Sequence, residues 1–416
     1  MKVLEKYSFG IGDRFTRQGR AQLAAIVQAK KLGVDITPVW NKSNREHVTI
    51  HTQPDSLRAE ADAAVKALGW TGSYYVDADH IGLKTVDSFL AASDFYTLDV
   101  ADFSGKPADE ASVKAFAAAN TKFIGKLTIP GIEAPLEITE KTIMDAAGKF
   151  LLAIQEAGKI YRHIEEKKGR GNFVTEVSID ETDSPQSPTE MLFILSAIAA
   201  EGIPAQTVAP KFTGRFNKGV DYVGNLVQFE KEFNEDLAVI AFAVKEFGLP
   251  ENLKLSVHSG SDKFSIYGPM GKAIKKYNAG LHVKTAGTTW LEELIGLACA
   301  GGSGLALAQE VYRKAFGRFD ELCAPYSAVI DIDRAKLPSP DEVAAWDARR
   351  FAESLRHVQS NPAYNLHFRQ LLHVGYKVAA EMGERYYTAL DENEEVVARN
   401  VTENLLERHI KRIFLV

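Results

Sequence analysis

Eight short apolar runs, separated by segments of helical length, are the feature that most constrains the fold of this chain. The runs are rich in aromatic and β-branched residues, which favour strands. This alternation is typical of a parallel sheet, in which a crossover helix joins each strand to the next. The predicted strands are Tyr7–Ile11, Ile36–Trp40, the start of Ser73–Gly82, Phe95–Val100, Phe173–Ile179, Ala205–Ala209, Leu253–Val257 and Leu281–Val283.

Eight βα units predict an α/β fold of the (β/α)8, or TIM, barrel type. The alternation breaks at residues 106–171, which we interpret as a helical insertion after strand four, either a lid or an oligomer contact. The end of the chain is helical and highly charged, and could close the barrel or form a subunit contact. We therefore expect a catalytic barrel over residues 1–335, including the insertion, and a helical C-terminal extension over residues 336–416.

The composition argues against several classes of protein. A net charge of -6 without a basic run gives no case for binding nucleic acid. No apolar run approaches the roughly 20 residues of a membrane span, and the N-terminus is charged where a signal peptide is apolar. Cys299 and Cys323 are too few for a disulfide framework. We expect a cytoplasmic protein with neither a nucleic-acid nor a membrane partner.

Polar and charged side chains collect where the predicted strands end. The stretch Ser73–Gly82 begins as a buried strand and ends in Asp79 and His80. The active site of a (β/α)8 barrel lies at the C-terminal ends of its strands, so such residues are candidates for the site. The other candidates at strand ends are Glu176, Asp180, Glu181, Lys211, His258, Ser259, His282 and Lys284.

Three of the ten histidines, His80, His258 and His282, lie at predicted strand ends. A single histidine in such a place could be an ordinary structural residue. Three that converge with carboxylates at one rim predict a divalent metal site instead. Imidazole and carboxylate ligands suit Zn, Mn, Co or Ni, and the sequence does not choose among these metals.

Asp79 has two interpretations. It could be a carboxylate that orients the metal ligand His80, or a base that removes a proton from a substrate hydroxyl, which is the role we assign to it. Glu176 or Glu181 could act as the acid on the other side of the substrate, and the sequence does not separate them. The candidates to bind a sugar or sugar-acid substrate are Lys211, Ser259 and Lys284.

These strand ends resemble those of the tagaturonate epimerase family, hexuronate C4-epimerases that interconvert tagaturonate and fructuronate. Some relatives look like tagatose 4-epimerases that act on fructose and tagatose. The length of the chain and the order of its segments agree with the family from end to end. The passages that carry the resemblance are Tyr-Val-Asp-Ala-Asp79-His80, Glu176-Val-Ser-Ile-Asp-Glu181, Ala-Pro-Lys211-Phe-Thr-Gly, Val-His258-Ser-Gly-Ser-Asp and Leu-His282-Val-Lys284-Thr.

A more distant resemblance, to class II sugar-phosphate aldolases, has implications for the mechanism. Those metal-dependent barrels carry an Asp-His pair after one strand and a His-Gly-Gly-Ser turn after a later one, and Asp79-His80 and His258-Ser-Gly-Ser are similar to these elements. The resemblance implies that the aspartate is the base and the histidines bind the metal. Lys211 stands where the aldolases have a further histidine, so His282 is the expected third ligand, with Glu176 as the alternative.

The predicted function is a metal-dependent C4-epimerase of tagaturonate and fructuronate, or of tagatose and fructose, that works by a retro-aldol and aldol route. The first alternative is a class II-type aldolase that releases the two fragments, which an assay for free aldehyde would distinguish. The second alternative is a non-catalytic sugar-binding barrel, which would need no metal. The chain could also form a homo-oligomer.

Overall fold

The computed structural model describes residues 2–285 and 287–415. Eight parallel strands form a closed barrel in the order β1-β10-β9-β8-β7-β4-β3-β2, which confirms the predicted (β/α)8 architecture. Strands β5 and β6 form a separate antiparallel pair. The strands are β1 (Tyr7–Ile11), β2 (Thr37–Ser43), β3 (Tyr75–Ile81), β4 (Phe95–Asp99), β5 (Gly125–Leu127), β6 (Leu136–Ile138), β7 (Val174–Ser178), β8 (Thr207–Ala209), β9 (Lys254–His258) and β10 (Leu281–Lys284).

Ten helices accompany the strands up to the end of the barrel. Several begin with side-chain caps, such as Ser187, which accepts a hydrogen bond from the backbone N–H of Glu190 and precedes Pro188. These helices are α1 (Gly19–Lys31), α2 (Asn44–Ile50), α3 (Pro54–Leu68), α4 (Glu110–Asn120), α5 (Glu140–Ala146), α6 (Leu152–Lys168), α7 (Pro188–Ala200), α8 (Leu226–Phe247), α9 (Phe264–Lys276) and α10 (Gly287–Ala300).

The region between β4 and β7 holds α4, the β5-β6 hairpin and α5, which continues through a π-helical turn (Ala147–Leu151) into α6. The segment predicted as a helical insertion therefore also contains a short hairpin. Helix α6 contacts both β4 and α7. This is the place that the crossover helix of the fourth βα unit takes in a barrel.

The described residues after α10 are mostly helical, as predicted, and they pack on the barrel helices α1, α9 and α10. The last helix places Phe414 with its ring centroid 5.0 Å from that of Tyr7 on β1. Within the described residues, no helix has the length and apolar character needed to cross a bilayer. These helices are α11 (Gly302–Gly317), α12 (Phe319–Cys323), α13 (Pro340–Ala344), α14 (Ala348–Leu355), α15 (Leu366–Val374), α16 (Tyr376–Met382), α17 (Glu384–Glu392), α18 (Glu394–Glu403) and α19 (Lys411–Phe414).

The buried carboxylate of Asp262, in the loop after β9, joins this helical region to the barrel. Its Oδ2 accepts a hydrogen bond from Arg369 Nη2 at 2.8 Å and lies 3.1 Å from His357 Nδ1. Its Oδ1 accepts from the Thr288 hydroxyl at 2.9 Å and lies 3.2 Å from His409 Nε2. Burial alone would raise the pKa of Asp262, but Arg369 and the two histidines hold it well below the usual range. The loop that follows β9 is therefore fixed from the side of the helical region.

The side chains inside the barrel change from apolar to polar along its axis. Side chains alternate between the two faces of a strand, so every second residue points inward. One end of the interior is an apolar cluster that includes Val39, Tyr75, Phe95 and Val174. Further along the strands, toward their C-terminal ends, the inward residues are polar and still buried, and they include Asp77, Thr97, Glu176 and Lys284.

Glu293, buried in helix α10, is a carboxyl group outside this interior layer. Its Oε2 accepts a hydrogen bond from the Tyr386 hydroxyl at 3.2 Å, while its buried Oε1 has no hydrogen-bond partner among the described residues. Burial and the charge of Asp13 raise the pKa of Glu293 well above its ordinary value of 4.5. The folded protein therefore binds this proton more tightly than the unfolded chain does.

We predict that Glu293→Gln makes the thermal stability less sensitive to alkaline pH. The raised pKa of Glu293 stabilises the folded protein fully at pH values below its ordinary pKa of 4.5. This stabilisation is lost as the pH rises through the raised pKa of the folded state. Glutamine keeps the neutral form, so the Tm of the variant relative to the wild type should rise between about pH 5 and about pH 9. Calorimetric scans across this range measure the difference, with the exposed Glu133→Gln as control. A Tm difference that is constant with pH would contradict the expectation.

Candidate active site

A cavity of about 380 Å³ opens at the C-terminal ends of the barrel strands, where the sequence predicted the site. A second cavity of about 450 Å³ adjoins it and shares part of its wall. The helical region also reaches the first cavity, through His373 and Tyr376. Side chains that line the first cavity include Arg14, Arg45, Asp79, His80, Asp99, Asp180, Glu181, Lys218, His258 and Lys284.

Asp79 and His80 both face this cavity although they are neighbours at the end of β3. Neighbours in a regular strand point to opposite faces. Here the pairing of β3 with β4 shifts register between Ala78 and Ile81, which marks a bulge. His80 has a φ of 53°, a left-handed conformation that costs free energy for a residue with a side chain. The strained bulge is what brings the two side chains to one site.

His80, Asp180 and His258 form the one cluster among the described residues whose ligand atoms could hold a metal ion, with those atoms within 4.8 Å of one another. His80 Nε2 lies 3.7 Å from Asp180 Oδ1, and His258 Nδ1 lies 3.1 Å from Asp180 Oδ2. The centroids of the two imidazole rings are 5.1 Å apart. Two histidines and one carboxylate form a ligand set that suits Zn and other divalent transition metals.

A second carboxylate holds the far nitrogen of each imidazole. His80 Nδ1 lies 2.9 Å from Asp79 Oδ1, and His258 Nε2 lies 2.8 Å from Glu176 Oε1. Because each carboxylate accepts the N–H hydrogen of that nitrogen, the other nitrogen of each ring faces Asp180 and can bind a metal ion once it has lost its proton. His258 Nδ1 is buried, and its contact with Asp180 Oδ2 lacks the geometry of a hydrogen bond. Metal-binding histidines are held in this way, so the residues fit a metal ion.

The electrostatics of the cluster favour a cation. Burial would lower the pKa of His258, but the charges of Asp180 and Glu176 raise it to about 9. Burial would likewise lower the pKa of His80, and Asp79 and Asp180 raise it well above the usual range. The carboxylates around the two imidazoles thus create a negative potential where the imidazole nitrogens meet Asp180.

Lys284 is buried among these carboxylates. Its Nζ lies 2.8 Å from Asp77 Oδ2, 2.8 Å from Asp79 Oδ1 and 2.9 Å from Glu176 Oε1. Burial would lower the pKa of Lys284, but these three charges raise it well above the usual range. The sequence suggested that Lys284 binds the substrate. In the structure its ammonium group is engaged as the counter-ion of the buried carboxylates.

The structure does not bring His282, the expected third ligand, to the cluster. In the pairing of β9 with β10, Lys284 is level with His258, whereas His282 is level with Ser256, two residues lower. His282 Nδ1 lies 2.8 Å from the Ser8 hydroxyl, and burial lowers the pKa of His282 to about 3. Two residues of strand separate His282 from the level of His258 by about 6.6 Å, so His282 lies outside the cluster, deeper in the barrel.

The remaining predicted residues lie at different depths. Glu181 is exposed and lines both cavities, whereas Glu176 lies buried beneath them. Lys211 and Ser259 border the second cavity. The Lys211 ammonium group donates to the Thr182 carbonyl, and the Ser259 hydroxyl donates to the Lys284 carbonyl at 2.8 Å. Both of these proposed substrate contacts are engaged with the backbone.

Sequence reasoning missed several residues of the first cavity. Asp180 lies at a predicted strand end, and the period of two places it on the same face as Glu176. It was nevertheless not among the predicted ligands. Lys218, Arg45 and His373 carried no motif that could have marked them, because they lie on a loop, on α2 and on α15 respectively.

Comparisons with known proteins identify relatives of this chain. The family model for tagaturonate epimerase matches residues 2–413. The tagaturonate/fructuronate epimerase of Thermotoga maritima is 29% identical over 425 residues, which cover 97% of this chain and 79% of the relative.

Two solved structures are similar in fold. A crystal structure of fructuronate-tagaturonate epimerase from Cohnella laeviribosi, complexed with glycerol, has a TM-score of 0.79 at 24% identity and covers 99% of this chain and 82% of that one. A probable tagatose 6 phosphate kinase from Sinorhizobium meliloti has a TM-score of 0.50 at 10% identity, over 98% of this chain and all of that one. At these identities the two likenesses concern the fold alone.

We predict that Lys284→Met lowers the free energy of unfolding by about 3–5 kcal/mol, because it leaves buried carboxylates without their counter-ion. Chemical unfolding in urea measures the loss. The double variant Lys284→Met/Glu176→Gln should recover part of it by removing one of the charges. Lys272→Met, on the exposed face of α9, is the matched control and should change the stability little. A Lys284 variant as stable as this control would show that the ammonium group is not the counter-ion.

Proposed function

Because the chain belongs to the tagaturonate epimerase family and is therefore a carbohydrate isomerase, we propose that it interconverts D-tagaturonate and D-fructuronate in a metal-dependent reaction. The observation that carries the metal dependence is the pair of imidazoles in the first cavity. Each is held on its far nitrogen by a carboxylate and directs its other nitrogen toward Asp180. His80, His258 and Asp180 are the proposed ligands.

A divalent metal at this position would supply a Lewis acid that polarises the carbonyl group of the substrate and stabilises negative charge on its oxygen. The chain itself prepares the ligands. Asp79 and Glu176 fix the orientation of the two imidazoles, and Lys284 keeps those carboxylates ionised. Burial alone would raise the pKa of Asp79. Lys284 and His80 lower it by more, so the pKa of Asp79 lies below the usual range. A carboxylate so stabilised in its charged form is a weak base, which supports the orienting role for Asp79.

The change of configuration at C4 follows from a retro-aldol reaction. A base removes the proton of the C4 hydroxyl, the C3–C4 bond breaks, and its electron pair moves into the C2 carbonyl to give an enediolate and an aldehyde. The aldehyde turns over, and the C3–C4 bond forms again on its other face. The proton then returns to the C4 oxygen, so the product differs from the substrate only at C4.

Glu181 is the proposed carrier of this proton. It lines both cavities. It is also exposed, and in the described residues it takes part in no ion pair. Glu176 is less suited to the role, because it is buried and its Oε1 is engaged by His258 and Lys284. General acid–base catalysis of this kind typically contributes about 10²–10⁴ in rate.

The first test concerns the metal. We expect treatment with a chelator to abolish epimerisation and Zn, Mn, Co or Ni to restore it. Asp180→Ala should lose the bound metal because it removes a ligand, whereas His282→Asn should keep it. Elemental analysis of the purified variants, with circular dichroism as a check of folding, measures the metal content. Full activity after complete removal of the metal would refute the proposal, and loss of the metal from His282→Asn would restore that residue to the ligand set.

The second test separates orientation of a ligand from proton transfer. Asp79→Asn should weaken metal binding by about 10- to 100-fold, and saturating metal should restore most of the activity. Glu181→Gln should lower kcat by about 10²-fold or more at unchanged metal content. Steady-state rates at a series of metal concentrations measure both. A loss in Asp79→Asn that persists at saturating metal would make Asp79 the base, and released aldehyde as the main product would point to an aldolase.

A further inference from the structure

Besides the buried Lys284, three cationic side chains line the first cavity beside the proposed metal ligands. They are Arg14 after β1, Arg45 on α2, and Lys218 in the loop after β8. We propose that these three residues bind the carboxylate of a hexuronate and thereby select sugar acids over neutral ketoses. This inference rests on the proposed function and identifies the part of the same cavity that recognises the end of the substrate remote from the carbonyl group.

Lys218 is the central residue of this group. It is partly buried and lines both cavities. Within residues 2–285 and 287–415, no carboxylate lies within ion-pair distance of its ammonium group. Its Nζ lies over Gly260, 3.6 Å from the position that a Cβ would take there. This places the ammonium group beside the loop that carries His258.

An ammonium group in this position is costly without an anion. Burial and the charge of Arg45 lower the pKa of Lys218. Glu181 and Glu46 offset this only in part. Burying a charge is unfavourable unless it is paired, so a bound carboxylate would relieve the cost.

The two arginines are held by aromatic rings. The guanidinium group of Arg14 lies 4.4 Å from the ring centroid of Tyr376, and that of Arg45 lies 5.5 Å from the ring centroid of Tyr326. The hydroxyl groups of the two tyrosines are 3.2 Å apart. Stacking fixes the plane of a guanidinium group and leaves its N–H edge for a planar anion.

Arg14 also has an unused donor. Its Nε lies 3.2 Å from Glu46 Oε1. Its Nη1 is buried and has no hydrogen-bond acceptor among the described residues. A buried N–H group without an acceptor is destabilising, and a ligand oxygen would satisfy it. Arg14 therefore points to an anionic ligand independently of Lys218.

A sugar carboxylate fits this arrangement better than a hydroxymethyl group. The neutral hydroxyl at C6 of a ketose cannot neutralise Lys218, and it offers the two guanidinium groups one acceptor oxygen where a carboxylate offers two. A site built for a charged group rejects an analogue that lacks it, because the polar groups of the site are then left unpaired. In the retro-aldol route the carboxylate lies on the aldehyde fragment, so its anchoring would keep that fragment in the cavity while the aldehyde end turns.

The test compares the metal-loaded wild type with Lys218→Met on D-fructuronate and on D-fructose. We expect Lys218→Met to lower kcat/KM for fructuronate about tenfold or more, mainly through KM, and to change kcat/KM for fructose less than about twofold. Lys218→Arg should keep most of the preference, and Lys272→Met on α9 is the control. More free aldehyde from fructuronate in Lys218→Met would support the anchoring role. An equal loss on both sugars, or no loss, would overturn the inference.

Binding measurements separate this inference from the proposed function. If the wild type epimerises neither sugar, the proposed function fails, and calorimetric titration then decides the question of the carboxylate site. The inference requires fructuronate to bind the wild type more tightly than fructose does, and Lys218→Met to remove that difference. Equal binding of the two sugars to the wild type would overturn it.

Discussion

The candidate active site depends on one buried ammonium group, that of Lys284. Asp77, Asp79 and Glu176 are buried inside the barrel, where three carboxylates without a counter-ion would repel one another and lose their hydration. Lys284 lies within 2.9 Å of all three. It allows Asp79 and Glu176 to stay ionised, and these two carboxylates fix the two imidazoles. A cation engaged by buried carboxylates thus sets the geometry of the proposed metal ligands.

Two features of the backbone place these side chains at the cavity. The register of β10 against β9 places Lys284 level with His258. The bulge at the end of β3 turns both Asp79 and His80 to the same side, at the cost of a left-handed conformation at His80. Strain of this kind persists only where the surroundings hold it, and here the contact of His80 with Asp79 does so.

The helical region after the barrel takes part in the cavity. The contacts of Asp262 with Arg369, His357 and His409 fix the loop after β9, which begins next to His258. From the same region, Tyr376 stacks on Arg14, in the part of the cavity wall that we assign to the substrate carboxylate. The cavity would then be divided between residues that hold a metal at the barrel strands and cations that hold the far end of a sugar acid.

The barrel could be predicted from the chain alone, since the alternation of apolar runs and helical segments depends on local periodicity and placed β1 at the residues it occupies. The sequence also marked Asp79, His80 and His258, because the carboxyl ends of parallel strands meet at one rim. The tertiary structure was needed to show that Asp180 joins them and that His282 does not, because the stagger between neighbouring strands sets the level of each side chain and leaves no trace in composition. It alone brought Lys218, Arg45 and Arg14 together, since residues from three distant segments of the chain share a wall only once the barrel has closed.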